Sequence, residues 1–243
     1  MIETEGGLML KFERRQVRLE RRAEIWEGGL TPVGRAHAWF DLLFFDHGIL
    51  RLCYRNRHLV TQGLWRSAQP TPGDLKTLKE KGFKSVICVR GGRAFGSWPL
   101  EKEACERLQL DLHKIGIRAR QAPRKQDLLE LIDLLGSLTY PALIHCKSGA
   151  DRTGFVAAVY LIAIARRPVD EGLAQLALRF GHLRSSRAGV LREVIEAFRR
   201  DGAAAGLDFR SWVETSYEPD EVAHSFRPRP LSAITDLLLR REG

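Results

Sequence analysis

The feature that most limits the possible fold is a strand–loop–helix run between Pro141 and Ala165. Pro141-Ala142-Leu143-Ile144-His145 reads as a buried strand, and it breaks at Cys146 into a segment of small and polar residues ending at Arg152. An apolar helix starts at once at Thr153 and carries eleven uninterrupted apolar residues from Phe155 to Ala165. A continuous apolar strand feeding directly into an apolar helix needs cover on both faces. The chain around it supplies that cover. Strands are predicted at Leu64–Ser67, Lys84–Val89 and Leu110–Ile117, and helices at Leu75–Lys81, Glu101–Leu108, Asp127–Leu138, from Pro168 and over Ala188–Arg200. The first of those helices is announced by Pro70-Thr71-Pro72-Gly73-Asp74. This alternation predicts a three-layer α/β fold, a central mainly parallel sheet flanked by helices.

The flanks read differently. Residues 11–27 are densely charged and lack Gly and Pro, which predicts a solvated helix outside the core. Ala36–Leu52 is rich in Trp, Phe and Leu and predicts a helix packed on the domain. The competing reading, an interfacial anchor giving peripheral membrane contact, calls for a basic polar face. Asp41, Asp46 and the absence of Lys oppose it. The expected division is a helical extension over 1–47, the main domain over 48–201 and a tail over 202–243.

Composition narrows the partners. Lys and Arg number 39 against 30 Asp and Glu, a formal net charge of +9 that favours anionic partners. No nucleic-acid recognition motif accompanies the charge, so a phosphorylated substrate is expected and nucleic acid is not. The four cysteines form no C-x-x-C pair, which argues against a disulfide scaffold or a structural zinc site. The apolar run in 155–165 is short of the roughly 20 residues that span a bilayer. The first residues show no basic stretch followed by an apolar one, so the expected location is cytoplasmic.

The chemistry concentrates in His145-Cys146-Lys147-Ser148-Gly149-Ala150-Asp151-Arg152-Thr153-Gly154. A loop between a strand end and a helix start aims several backbone N–H groups at one point, backed by the helix dipole. The N–H groups of Lys147, Ser148, Gly149, Ala150, Asp151 and Arg152 would form such a cradle, with glycine permitting close backbone approach. A cysteine there becomes a thiolate well below its free value of about 8.5. Arg152 can grip two phosphate oxygens in a fork, and Thr153 can hydrogen-bond the sulfur. The arrangement suits attack by Cys146 on phosphorus, giving a phosphocysteine that water hydrolyses. Cys53, Cys88 and Cys105 lie in apolar contexts and read as packing residues.

This segment resembles the hallmark H-C-x5-R-[S/T] of the protein tyrosine phosphatase superfamily. It is most similar to bacterial dual-specificity-like enzymes with an H-C-K-x-G-A-D-R-x-G loop. Arg66-Ser67-Ala68-Gln69-Pro70, Arg90-Gly91 and Phe180-Gly181-His182-Leu183 extend the likeness over residues 48–200. The resemblance implies the tyrosine/dual-specificity phosphatase fold, phosphate monoester hydrolysis, and neither metal nor organic cofactor. It implies that Cys146 is the nucleophile, that Arg152 is the clamp, and that His145 orients the loop by hydrogen bonds.

One part of the pattern is missing. The region that carries the usual acid on a separate loop runs from Lys114 to Gln126 with five basic residues and no acid. Asp111 precedes it in a strand and Asp127 follows as a helix N-cap. The remaining candidate is Asp151 inside the loop, the position assigned the acid role in myotubularin-like relatives. The alternative is that Asp151 only braces the loop. Arg118 and Arg120 from the basic region, together with Lys147, Ser148 and Ala150, would contact substrate. They favour an anionic phospholipid or lipid-A-like head group over a phosphoprotein, the near rival. A catalytically silent phosphate-binding module and a rhodanese-like sulfurtransferase are the readings from other classes.

Overall fold

The computed structural model describes residues 30–46, 54–90 and 95–228. Five strands form one sheet: β1 (His58–Thr61), β2 (Leu64–Ser67), β3 (Ser85–Cys88), β4 (Asp111–Lys114) and β5 (Ala142–His145), in the order β1-β2-β5-β3-β4. Only the β1–β2 pair is antiparallel; β5 runs parallel to both its neighbours. The central place of β5 explains its composition. It bonds on both edges and is covered on both faces, so all four of its residues are buried.

Side chains alternate along the central strands. Leu143 and Val86 face one layer, α2 (Pro72–Glu80) and α3 (Ser97–Leu108), where they meet Leu75, Leu78, Ala104 and Cys105. Ala142, Ile144 and Ile87 face the other. That layer holds α4 (Lys125–Ser137), α5 (Asp151–Val159, continued by a wider turn through Ile164) and α7 (Gly189–Ala197). The short α6 (Val169–Leu173) packs beside them. The fold is thus the three-layer, mainly parallel α/β architecture expected. Thr71 and Asp74 close a reciprocal capping box on α2, as the Pro/Thr/Asp cluster there requires. Asp127 sits three residues inside α4 rather than capping it; the N-cap is Arg124, whose N–H donates to Asp127 Oδ2 at 3.3 Å.

Both flanks contribute described residues that pack on the sheet domain. The predicted helix over 11–27 and residues 47–52 of the Ala36–Leu52 segment lie outside the described residues. Within them, α1 (Pro32–Phe40) and the turn through Phe45 lay Ala38 and Leu42 against Leu100 of α3. Asp41 accepts the N–H of Gly96, the N-cap of α3, at 2.7 Å. This segment is part of the domain. Towards the other end, α8 (Phe209–Thr215) and α9 (Pro219–Ser225) place Phe209, Trp212, Val213 and Val222 in the main core. Trp212 lies 5.5 Å from Phe198 and 5.1 Å from Tyr217, ring to ring, and the Tyr217 hydroxyl donates to Pro123 O at 2.6 Å. Residues 202–228 pack on the domain, because Phe209, Trp212 and Tyr217 bury their rings in its core. Among the described residues no helix is long and apolar enough to cross a membrane.

Trp212 provides a test of that boundary. Trp212→Ala should lower unfolding stability by about 3–5 kcal/mol, the usual cost of emptying a buried aromatic site. Urea denaturation of the full chain measures it. A near-zero change would show that 202–228 adds nothing to the stability of the domain.

Candidate active site

The loop between β5 and α5 is shaped by where its peptide groups point. Cys146 is buried at 1% exposure, and the Gly149 N–H donates to its sulfur at 3.2 Å. Gly149 has φ +73°, and a Cβ there would stand 2.6 Å from the carbonyl carbon of Ser67. Only glycine fits, on both conformational and steric grounds.

Amides turned inward leave their carbonyls facing out, and each needs a donor. Val89 N–H donates to His145 O (2.9 Å) and Gln69 N–H to Lys147 O (3.2 Å). Asn56 Nδ2 donates to Ser148 O (2.9 Å). The buried Arg66 guanidinium donates to Gly149 O (2.6 Å) and Ala150 O (3.2 Å), and also to Gln175 O (2.7 Å). Burial pulls Arg66 down to about 10, against the support of the Cys146 thiolate. Its planar head lies 4.0 Å over the Phe180 ring. Asn56 also holds Phe180 O at 3.0 Å, so the turn carrying Phe180 is tied to the loop twice.

Electrostatics favour a thiolate at Cys146. Burial acts to raise its pKa, but Arg152, in the first turn of α5, and the hydroxyl and amide of Thr153 outweigh it and bring the group below the ordinary thiol value. Asp151 opposes them weakly. Cys105 lacks such partners; burial and Glu101 push it far up. Cys88 and Cys105 are buried free thiols in the core, and Cys53 lies outside the described residues. Ser148 and Ala150 stand in the loop where expected, with Ser148 Oγ accepting the Ala150 N–H at 3.4 Å.

Strand alternation sends His145 to the face opposite Ile144, towards α3. There its Nε2 lies 2.6 Å from Glu101 Oε1, both groups buried. Burial would lower the His145 pKa, but the carboxylate more than reverses this and raises it to about 10. Cys88, in register with His145 on β3, completes a cluster whose donor atoms lie within 4.8 Å of one another. The imidazolium and carboxylate in it match each other in charge. Glu101 Oε2 accepts from Gln69 at 3.0 Å, Gln69 Oε1 accepts from Arg90 at 3.1 Å, and Arg90 grips Asp46 through both nitrogens at 2.8 and 2.9 Å. Lys147 Nζ lies 3.4 Å from the same Asp46. Sequence reasoning gave no role to Asp46, Glu101, Asn56 or His182. His182 was visible only as part of the Phe180–Leu183 likeness, and Glu101 as a charge on the face of α3 shared by Ser97, Ala104 and Cys105.

The carboxylates near the loop are distinguished by position. Asp111 opens β4 opposite Ser85, at the end of the sheet away from the loop. Asp127 is bound by Arg124 at 2.6 Å and kept below the usual carboxylate range by that contact. Asp151 is buried in the loop, with Oδ1 2.8 Å from His182 Nδ1. Of the basic region, Arg118 is exposed and donates to Gln121 at 2.9 Å, while Arg120 is half-buried. Arg124 and Lys125 are paired, the latter with Glu218 at 3.5 Å.

Comparison with known proteins follows the geometry. A family profile described as "DSP-PTPase phosphatase fused to NAD+ Kinase" matches residues 55–193, more than half of the chain. The chain belongs to this family. It carries a phosphatase domain of the tyrosine and dual-specificity type, a phosphoric monoester hydrolase fold. A curated relative, Inositol diphosphatase DSP3 of Arabidopsis thaliana, is 30% identical over 105 residues, 41% of this chain and 50% of the relative. The chain therefore spans about half the length of the curated relative it matches. Among solved structures, P. aeruginosa TpbA is similar at 21% identity, covering 66% of this chain and 92% of that one, with a TM-score of 0.48. The core catalytic domain of PP-IP phosphatase SIW14 from S. cerevisiae is 17% identical over 63% and 90% of the two chains, with a TM-score of 0.48.

The thiol environment predicts a pH dependence. A depressed acid pKa means that thiolate is populated above a midpoint below the ordinary thiol value and lost as pH falls through it. Inactivation by iodoacetate, followed by peptide mass mapping, should modify Cys146 ahead of Cys105 with such a midpoint. Arg152→Met removes the stabilising cation and should move the midpoint up. An unmoved midpoint would assign the thiolate to the loop amides instead.

Proposed function

We propose that the protein is a cysteine-dependent phosphatase acting through a phosphocysteine intermediate. Cys146 is the nucleophile, and Arg152 with the amides of 147–152 stabilises the equatorial oxygens of the transition state. Asp151 gives a proton to the leaving oxygen and then takes one from the attacking water. The observation that carries the reading is the thiol held below its ordinary pKa beneath a turn whose carbonyls at Lys147, Ser148, Gly149 and Ala150 are bound from outside. Burial of Asp151 beside the loop, and the engagement of Asp127 elsewhere, support the acid assignment. His145, charged against Glu101, fixes the start of the loop from behind.

For substrate, the reading is a small, multiply phosphorylated anionic head group, free or lipid-borne. The name of the Arabidopsis relative and the exposed Arg118 support it. The exposed Phe40–Phe44 pair on α1 and its following turn, 4.7 Å apart, supports the lipid-borne form with peripheral membrane contact. Lys147 contributes less than its place in the loop suggests, since Asp46 faces it.

The experiment is turnover on inositol polyphosphates, phosphoinositide vesicles and a phosphotyrosyl peptide with three proteins. Cys146→Ser should abolish turnover on all of them while retaining vanadate binding. Asp151→Asn should slow an alkyl phosphate by roughly 10²–10⁴, the range of general acid catalysis. The same variant should leave p-nitrophenyl phosphate much less affected, because that leaving group departs unprotonated. Retained turnover in Cys146→Ser would sink the mechanism, and a preference for the peptide would sink the substrate reading.

A further inference from the structure

The Phe180-Gly181-His182-Leu183 stretch has no part in the mechanism so far, yet its histidine touches the proposed acid. His182 is 1% exposed, and its Nδ1 lies 2.8 Å from Asp151 Oδ1. Its other nitrogen, Nε2, is buried without a hydrogen-bond partner among the described residues. That asymmetry selects the tautomer. An imidazolium, or a neutral ring protonated at Nε2, would strand an N–H in the interior; a ring protonated at Nδ1 leaves only a bare lone pair there. His182 therefore donates its Nδ1–H to Asp151.

The donor is held rigidly. Gly181, at φ +83°, brings the turn close enough that a Cβ on it would lie 3.6 Å from Ala150 Cβ. Asn56 bonds both Ser148 O and Phe180 O, and Arg66 bonds Gly149 O while stacking on Phe180. Three contacts thus lock the histidine's turn to the phosphate loop.

We propose that His182 is a positioning residue for proton transfer. Resting on the assignment of Asp151 as the acid, it holds Oδ1 in both halves of the reaction, so that the proton leaves and returns at Oδ2. In the first step the Oδ2–H proton passes to the leaving oxygen as the P–O bond breaks and the S–P bond forms. In the second, the water oxygen bonds to phosphorus as the S–P bond breaks and the Cys146 thiolate leaves, and one proton of that water passes to Oδ2. Oδ1 accepts from the same Nδ1–H throughout.

The test exploits the shapes of two amides. Asparagine puts an N–H where Nδ1 stands, whereas glutamine puts it where Nε2 stands. His182→Gln and His182→Phe should lower kcat/KM on an alkyl phosphate about 10- to 100-fold, the scale of a misplaced catalytic group. Both should stay within about twofold of the parent on p-nitrophenyl phosphate, where no acid is needed. His182→Asn should recover most of the alkyl activity. If the phenylalanine variant does not fold, the asparagine–glutamine contrast carries the test alone. Equal losses on both substrates, or no difference between asparagine and glutamine, would overturn the proposal. Asp151→Asn is measured alongside. If its loss is uniform across substrates, the acid assignment itself fails; if its loss is leaving-group dependent and that of His182→Gln is not, only the role of His182 fails.

Discussion

A row of amides can converge on one point only if the carbonyls of the same peptide units diverge from it, and diverging carbonyls in a protein interior must be paid for with donors. Everything around the 146–152 loop answers that demand. Arg66 comes from β2, Asn56 from the segment before β1, Gln69 from the turn after β2 and Val89 from the end of β3. Each delivers one or two N–H groups to the outer side of the loop. The parallel sheet explains how this is possible. Its β2, β3 and β5 strands all end on the same side, so their last residues and the turns beyond them surround the exit of the middle strand.

The same ring of donors is itself held from behind. Arg66 touches the loop on one side and Phe180 on the other, while Glu101, Gln69, Arg90 and Asp46 form a buried polar chain behind His145. Such chains are destabilising when broken, because each member left without its partner stays desolvated and unbonded. The chain starts on the turn that follows α1, which is why that segment behaves as part of the domain.

The contiguous part of the site was legible because one short stretch contains strand end, nucleophile, glycine, arginine and helix start. Order of strands and helices was legible for a similar reason: apolar runs of the right length alternate along the chain. What could not be read were contacts between residues far apart. Asn56 and Ser148 are 92 positions from each other, and His182 and Asp151 are 31. No periodicity links such pairs. The packing of 36–46 was legible from its Trp, Phe and Leu content, whereas the burial of Phe209 and Trp212 was not, because charged and small residues surround them in sequence. Asp127 was placed as a cap on residue type alone, whereas Arg124 starts the helix.

Helix α5 has one property whose effect reaches beyond packing. Every residue from Asp151 to Ala163 is buried, so the positive end of its dipole is aimed into the loop through protein rather than through water. Mobile ions screen charges that lie in solvent within about a nanometre, and reach buried ones far less. The pull of the loop on an anion therefore keeps its strength as ionic strength rises. Exposed charges such as that of Arg118 are screened by the same salt, so the balance between buried and surface attraction shifts with the medium.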